Sequence, residues 1–329
     1  MSDVVAVVAI GRNEGERLAR CLESIPPSVH RKVYVDSGSV DGSVELARRL
    51  DAEVVELDMR VPLTTARARN AGVERVLQEE GPTFVLALDG DCELDPEFID
   101  RSLRLMREDP RVAVVCGRRR EKRRDASIYN ALCDMEWDTP IGEAKACGGD
   151  ALIRLAAYGE VGGYDAAIIA GEEPEFCLRL RRRGWVVRRI DCEMTRHDAA
   201  MTSFGQWWKR AVRAGHAYAE MHRRHGHWRR DVRSAWFYGL FVPFLAVVAA
   251  PATSGLSLAV LAAHALLYAR VLRHRRNKGD SPRDAALYAR FCVISKFAHV
   301  AGMARFVANR ALGRRPAIIE YKQPKPVSP

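Results

Sequence analysis

From residue 4 to residue 116 the chain alternates between short apolar runs and stretches whose apolar positions recur at helical spacing. Val4 to Ile10 is nearly continuous apolar sequence, the pattern of a strand buried on both faces. Leu18, Cys21, Leu22 and Ile25 then fall at i, i+3, i+4 and i+7, one face of a helix that Asn13 is placed to cap and Pro26-Pro27 to end. The cycle repeats with strands over 31–36 and 53–57 and helices marked by Leu46, Ala47 and Leu50 and by Ala66, Asn70, Val73 and Leu77. A third cycle follows, with a strand from Phe84 to Leu88, a helix opened by Asp95-Pro96 and striped by Ile99, Leu103 and Met106, and a strand over 112–116. This alternation predicts an α/β fold, a mostly parallel sheet flanked by helices.

The polar insertions fall where strands end: 11–14, 36–43 and 89–91. Right-handed crossovers bring such loops to one edge of the sheet, where ligands of open α/β sheets bind. The sharpest of them is Asp89-Gly90-Asp91, two acids around a glycine at the end of five apolar residues. Two carboxylates so close repel each other unless a cation lies between them and an anion; hard oxygen ligands suit Mg²⁺ or Mn²⁺, which commonly bridge to a diphosphate. The plain alternative is an acidic turn closing a strand. Gly117 to Asp125 reads as a basic, solvated connector, Val186 to Ile190 as a later strand, and Thr195 to Asp198 as the segment after it. Glu172, Glu173 and Glu175 precede a helix over 177–183; the helix dipole alone explains acids there, and poised carboxylates are the other reading.

Composition narrows the class. The chain has 329 residues, a net charge of +10 and no GxGxxG or GxxxxGK[ST], so neither a dinucleotide fold nor a P-loop is supported. Its eight cysteines show no CxxC and no paired spacing, which argues against zinc or a disulfide framework and for a reducing compartment. No basic stretch followed by an apolar one opens the sequence, so a cleaved secretory signal is not expected. Toward the C-terminus, Trp207, Ala211, Ala214, Tyr218 and Met221 share a helical face, suited either to a membrane interface or to core packing. His216, His222, His225 and His227 lie among arginines and read as a solvated basic segment.

Ala235 to Ala252 and Gly255 to Ala269 carry no charge, arginines crowd both outer ends of the pair, and none lies in the turn around Pro251. That is the charge pattern of a membrane hairpin with both ends cytoplasmic. Ala285 to Ala311 carries Arg290, Lys296, Arg305 and Arg310 and reads as amphipathic and interfacial, and Gln323 to Pro326 as a loose tail. The expected organisation is a catalytic domain over 1–215, a basic linker over 216–234, the hairpin over 235–272 and an amphipathic helix with a basic tail over 273–329.

Six short pieces in order resemble a family 2 glycosyltransferase of the GT-A fold: Ala9 to Glu14, Asp36 to Ser43, Ala68-Arg69-Asn70-Ala71-Gly72, Asp89-Gly90-Asp91, Gly162 to Asp165, and Gly171-Glu172-Glu173 with Leu178-Arg179-Leu180. The resemblance covers residues 4 to about 210. It implies that Asp36 meets the nucleotide base and that Ile10, Gly11, Arg12, Asn13 and Glu14 meet the nucleoside. It adds Arg67, Arg69, Asn70, Gly90 and Gly149 to the donor pocket, gives ribose and metal to Asp89 and Asp91, and lets His197 complete the metal shell. Glu173 becomes the general base with Glu172 beside it, although this family usually ends its acidic pair in Asp.

The implied activity moves a sugar from a nucleotide-diphosphate sugar, UDP-linked by preference, to a lipid-linked or glycan acceptor, with inversion and with Mg²⁺ or Mn²⁺. Gln206 to Arg210 departs from the Gln-x-x-Arg-Trp motif of processive members, so single-sugar transfer is expected. The expected location is the cytoplasmic face of a membrane, the bacterial inner membrane by preference, with no nucleic acid as partner. A nucleotidyltransferase would also use carboxylates and metal but leaves Glu172-Glu173 and the hairpin without a task. A non-enzymatic membrane or nucleic-acid binder would interleave its arginines with exposed aromatics rather than set them beside apolar runs.

Overall fold

In the computed structural model, which describes residues 3–314 and Ile319, the chain forms two compact units. One holds Met1–Arg124 and Glu136–Ala200, and the other Asp125–Met135 and Met201–Gln323. The expected tail at Gln323 to Pro326 lies outside the described residues.

The first unit is built on nine strands: β1 (Val5–Gly11), β2 (Arg31–Asp36), β3 (Glu53–Glu56), β4 (Phe84–Asp89), β5 (Cys92–Leu94), β6 (Val112–Glu121), β7 (Gly142–Glu143), β8 (Ala151–Arg154) and β9 (Val186–His197). Their order is β3-β2-β1-β4-β8-β6-β9-β5, with β7 on β9. The first half is parallel, as the alternation of elements requires. In the second half β8 runs antiparallel to both β4 and β6, and β5 and β7 run antiparallel to β9, so the whole sheet is mixed. The short β5, β7 and β8 carry no periodicity long enough to have announced this.

Helices α1 (Glu16–Glu23), α2 (Ser43–Arg49), α3 (Thr65–Leu77), α4 (Phe98–Glu108), α6 (Leu155–Glu160) and α7 (Glu172–Arg182) belong to this unit, whereas α5 (Ile128–Trp137) lies in the second unit up to Met135. A continuous apolar core runs from Val5 through Leu86, Phe98 and Val114 to Phe176 and Met194. Gly72 of α3 lies so close to β1 that a Cβ there would fall 2.2 Å from Val8, and this sets the helix down onto the sheet.

Three local expectations change. Asn13 does not cap α1: its N-cap is Gly15, and Asn13 Oδ1 instead accepts the Val40 N–H at 2.8 Å. Asp95 stands before rather than at the N-cap of α4, which is Glu97, although its Oδ1 accepts the Glu97 N–H at 3.1 Å. Residues 117–121 are no solvated connector. They continue β6, and Arg118, Arg119 and Glu121 are buried in it.

The second unit is helical: α8 (Phe204–His225), α9 (Arg229–Trp236), α10 (Val242–Val248), α11 (Ala262–Asn277) and α12 (Pro282–Ala311). Ser203 and Gln206 form a capping box that starts α8. α8 packs on α12 without side-chain spacers: a Cβ on Gly215 would meet His299 O at 2.2 Å, and one on Gly302 would meet Val212 O at 2.0 Å. Trp207 is buried edge-on against Phe291 at 4.7 Å, so this face of α8 serves core packing rather than a membrane interface. His216 is buried too, against Phe306, and is not part of a solvated basic segment; its burial lowers its pKa to about 4.

Three helical stretches, Arg229–Val248, Leu256–Asn277 and Pro282–Ala311, are long and apolar enough to cross a membrane. The first two correspond to the expected hairpin. The third was expected to be interfacial, yet it meets the same length and composition criteria.

Candidate active site

Register sets the floor of the site. Gly11 pairs with Asp36, and Ile10 with Asp89, so β2, β1 and β4 end flush with their terminal residues side by side. Gly90 donates its N–H to Ile10 O at 2.8 Å, and a Cβ on Gly90 would press that oxygen at 3.0 Å. β5 then pairs with β9 and sets Cys92 opposite His197, while Asp198 N donates to Asp91 O at 3.2 Å. These pairings bring residues about a hundred positions apart into one cluster, where a ligand atom from each of Asp89, Asp91, Cys92 and His197 lies within 4.8 Å of the others.

His197 Nε2 is 3.3 Å from Asp91 Oδ2. Adjacent vertices of an octahedron with bonds of ~2.1 Å are ~3.0 Å apart, so this pair fits a Mg²⁺- or Mn²⁺-sized ion. The His197 ring is fixed by Trp137, edge-on at 4.7 Å, and its buried Nδ1 faces Glu121 at 3.9 Å. A carboxylate behind the far nitrogen is the usual support of a ligating histidine.

Asp89 stands differently. Arg69 donates to its Oδ1 at 2.9 Å, and Arg119 reaches its Oδ2 at 3.5 Å. Asp89 is therefore the less available of the two acids for an ion, and Asp91 with His197 forms the better ligand pair. Arg119 also pairs with the fully buried Asp150 at 2.6 Å. Asp150 in turn accepts the Asp89 N–H at 3.0 Å and the Thr195 hydroxyl at 2.8 Å. Burial works against both guanidinium charges, but Asp89 and Glu172 around Arg69, and Asp150 and Asp89 around Arg119, outweigh it and raise both pKa values. Gly149 (φ +108°) keeps a space open above this network, since a Cβ there would sit 3.1 Å from Arg119, 3.3 Å from Arg69 and 3.7 Å from Asp89.

Arg69 joins the two acidic motifs: its other arm pairs with Glu172 Oε1 at 3.2 Å. Glu172 is thus held in an ion pair. Among the described residues its neighbour Glu173 meets no cation; its Oε1 accepts the Cys147 N–H and the Cys177 thiol, the latter at 3.2 Å. Among the described residues Glu173 Oε2 takes no hydrogen bond, and the side chain is buried. Three glutamates in the first turn of α7 also suit its dipole.

The remaining expected donor residues divide. Asp36 is buried, with Oδ2 accepting the Gly38 and Ser39 N–H groups at 2.9 and 2.8 Å and Oδ1 accepting the Tyr34 hydroxyl at 3.2 Å, so it shapes its own loop. Asn13 ties that loop to β1, donating its N–H to Ser39 Oγ at 2.8 Å. Glu14 pairs with Arg17 at 2.7 Å, and Arg12 is exposed at the rim. Asn70 turns away from the donor side: its amide holds Tyr164 O at 2.7 Å and accepts from Tyr164 N and the Tyr158 hydroxyl. Arg67 clasps the carbonyls of Val61 and Asp58 at 3.0 and 2.9 Å. The structure gives these two a scaffolding task.

Sequence reading missed Arg119, Asp150, Thr195, Glu121 and Trp137. Three consecutive arginines at 118–120 gave one usable signal, since they directly continue an apolar strand.

The comparisons with known proteins agree with this geometry. The sequence model of Glycosyl transferase family 2 matches residues 6–147. A succinoglycan biosynthesis protein, ExoA, of Rhizobium meliloti is 26% identical over 197 residues, 54% of this chain and 58% of that one, so the match spans well under two thirds of that relative. An N-acetylglucosaminyl-diphospho-decaprenol L-rhamnosyltransferase of Mycobacterium tuberculosis is 25% identical over 277 residues, covering 71% of this chain and 89% of that one. Among solved structures, a mannosyltransferase of Pyrobaculum calidifontis, in complex with GDP-Man and Mn²⁺, aligns with a TM-score of 0.56 at 16% identity, over 94% of this chain and 88% of that one. With the strand-end acids, the mixed sheet and the acidic turn of α7 in place, residues 6–147 are similar to Glycosyl transferase family 2, the fold is similar to that of the Pyrobaculum mannosyltransferase, and apolar helices long enough to span a membrane follow.

Proposed function

We propose that the chain is a membrane-anchored glycosyltransferase that moves one sugar from a nucleoside-diphosphate sugar to a lipid-linked or membrane-proximal acceptor, with inversion, at a cytoplasmic membrane face. The observation that carries this reading is Arg69, whose single guanidinium touches Asp89 at 2.9 Å and Glu172 at 3.2 Å. It holds the metal-type acids within one side chain of the acidic turn that would serve the acceptor.

In this mechanism Asp91 and His197 would hold the divalent ion, which when bound would supply positive charge against the departing diphosphate. Arg69 and Arg119 add fixed charge beside Asp89 that needs no reorganisation during the reaction. Glu173 Oε2 accepts the proton of the acceptor hydroxyl as its oxygen bonds the anomeric carbon and the bond to the diphosphate breaks. Glu173 Oε1, anchored on Cys147 and Cys177, keeps the carboxylate in place. Glu172 is the poorer candidate because its Oε1 is already engaged by Arg69 at 3.2 Å.

A lipid-linked acceptor is favoured by the decaprenol-linked substrate in the name of the mycobacterial relative and by the apolar helices. For the donor, UDP-sugars stand first and GDP-mannose second, the latter because of the nucleotide bound by the structural neighbour. The test is a panel of UDP-, GDP- and dTDP-sugars offered to the full chain in lipid nanodiscs with polyprenyl phosphate and diphosphate acceptors. Release of nucleoside diphosphate that needs both acceptor and divalent ion supports the proposal. Release of sugar 1-phosphate instead would mark a nucleotidyltransferase, and no turnover with any pair would contradict the proposal.

A further inference from the structure

Beneath Glu173 lies a group of soft ligands to which the mechanism gives only an anchoring role. Cys147 stands in the turn before β8 and Cys177 on α7, 30 residues apart in sequence, yet their Sγ atoms are 3.9 Å apart. Cys177 Sγ lies 3.2 Å from Glu173 Oε1. All three residues are buried, and one ligand atom from each lies within 4.8 Å of the others. A tetrahedral zinc ion with Zn–S of ~2.3 Å and Zn–O of ~2.0–2.2 Å requires S···S of ~3.8 Å and S···O of ~3.5 Å. The observed spacings lie close to both edges.

We propose that Cys147, Cys177 and Glu173 form a binding site for a thiophilic divalent cation of the zinc class, separate from the harder Asp91–His197 site. Ligand type separates the two: thiolates select zinc-like ions, whereas carboxylate and water suit Mg²⁺ and Mn²⁺. On binding, both thiols release their protons to solvent and form metal–sulfur bonds, Glu173 Oε1 forms the third bond, and the ion exchanges water for these ligands. The fourth vertex stays open to water.

Without the ion both thiols stay protonated. At Cys177 the hydrogen bond with Cys147 and burial both raise the pKa; at Cys147 that bond lowers it, but burial and Glu173 outweigh it. Occupancy makes the carboxylate a ligand, so zinc should inhibit transfer. This consequence rests on the reading of Glu173 as the base; the binding itself does not.

The test uses the full chain, purified in detergent under reductant, saturated with Mg²⁺ and given one equivalent of Zn²⁺. Zinc-edge X-ray absorption should show two sulfurs at ~2.3 Å with oxygen or nitrogen at ~2.0–2.1 Å. Cys177→Ser should leave one sulfur, and the Cys147→Ser/Cys177→Ser double variant none. Cys92→Ser, which removes the thiol beside Asp91, should leave both. A wild-type shell of nitrogen and oxygen alone overturns the proposal, as does a chain two hydrogens lighter through a Cys147–Cys177 bond. Two sulfurs with turnover unaffected by zinc would uphold the site and contradict the base role of Glu173.

Discussion

The two units differ in where they place charge and large apolar side chains. In the first, charged groups are drawn inside and paired: Arg69 is 3% exposed and Asp150 is fully buried, each in an ion pair. In the second, large apolar side chains stand outside, with Phe244 61%, Val247 68% and Leu266 71% exposed, while glycine, alanine and histidine fill the contact of α8 with α12. Small residues let helix backbones approach where apolar surface gains nothing from hiding. The first interior pairs buried charges, and the second exterior has the apolar composition of helices long enough to span a membrane.

Breaking the charged interior should have the largest effects. Glu173→Gln keeps the shape of the acidic turn but removes the proton acceptor, and turnover should fall ~10²–10⁴-fold, as removal of a positioned base does. Steady-state kinetics checks this. Asp150→Ala leaves Arg119 buried without its 2.6 Å partner. Breaking a buried ion pair from one side typically costs ~3–5 kcal/mol. The melting temperature should drop sharply, and activity should fall with it through the loss of the Asp89 N–H contact at 3.0 Å.

The apolar exterior is probed by Leu245→Arg, at a position 37% exposed on α10. A charge at mid-membrane costs ~2.5–3.5 kcal/mol on insertion scales. The variant should wash from membranes with carbonate more readily than the wild type, while nucleotide binding by the first unit is retained. The smallest effect concerns His216. Its folded pKa, about 4, lies below the ordinary 6.5, so the unfolded chain binds more protons between these values. The stability of the helical unit should be full above pH 6.5 and decline as pH falls toward 4, and His216→Gln should flatten that slope in thermal melts.

What could be read in the chain follows the same division. β1 to β4, their loops and the Asp89-Gly90-Asp91 motif were legible because each is a local pattern, an apolar run ending in polar residues. The acidic turn of α7 was legible as residues, although its helix begins at Glu172 rather than at Cys177. The arginines at 118–120 were misread because strand identity came from hydrophobicity, and here the strand buries charge against partners 30 or more residues away. Asn13, Asn70 and Arg67 look alike in sequence whether they hold a ligand or a loop, and only their hydrogen bonds separate the two. Cys147 and Cys177 escaped a search for paired spacing because tertiary structure alone makes them neighbours.

In the proposed reaction, donor binding falls to Asp91 with His197 and proton removal to Glu173. Calorimetric titration of the wild-type chain, Asp91→Ala and Glu173→Gln with the donor's nucleoside diphosphate, in Mn²⁺ and then in EDTA, tests that division directly. The account predicts that Asp91→Ala binds as weakly in Mn²⁺ as the wild type does in EDTA, while Glu173→Gln binds like the wild type. Equal affinity for all three proteins in both conditions would contradict it.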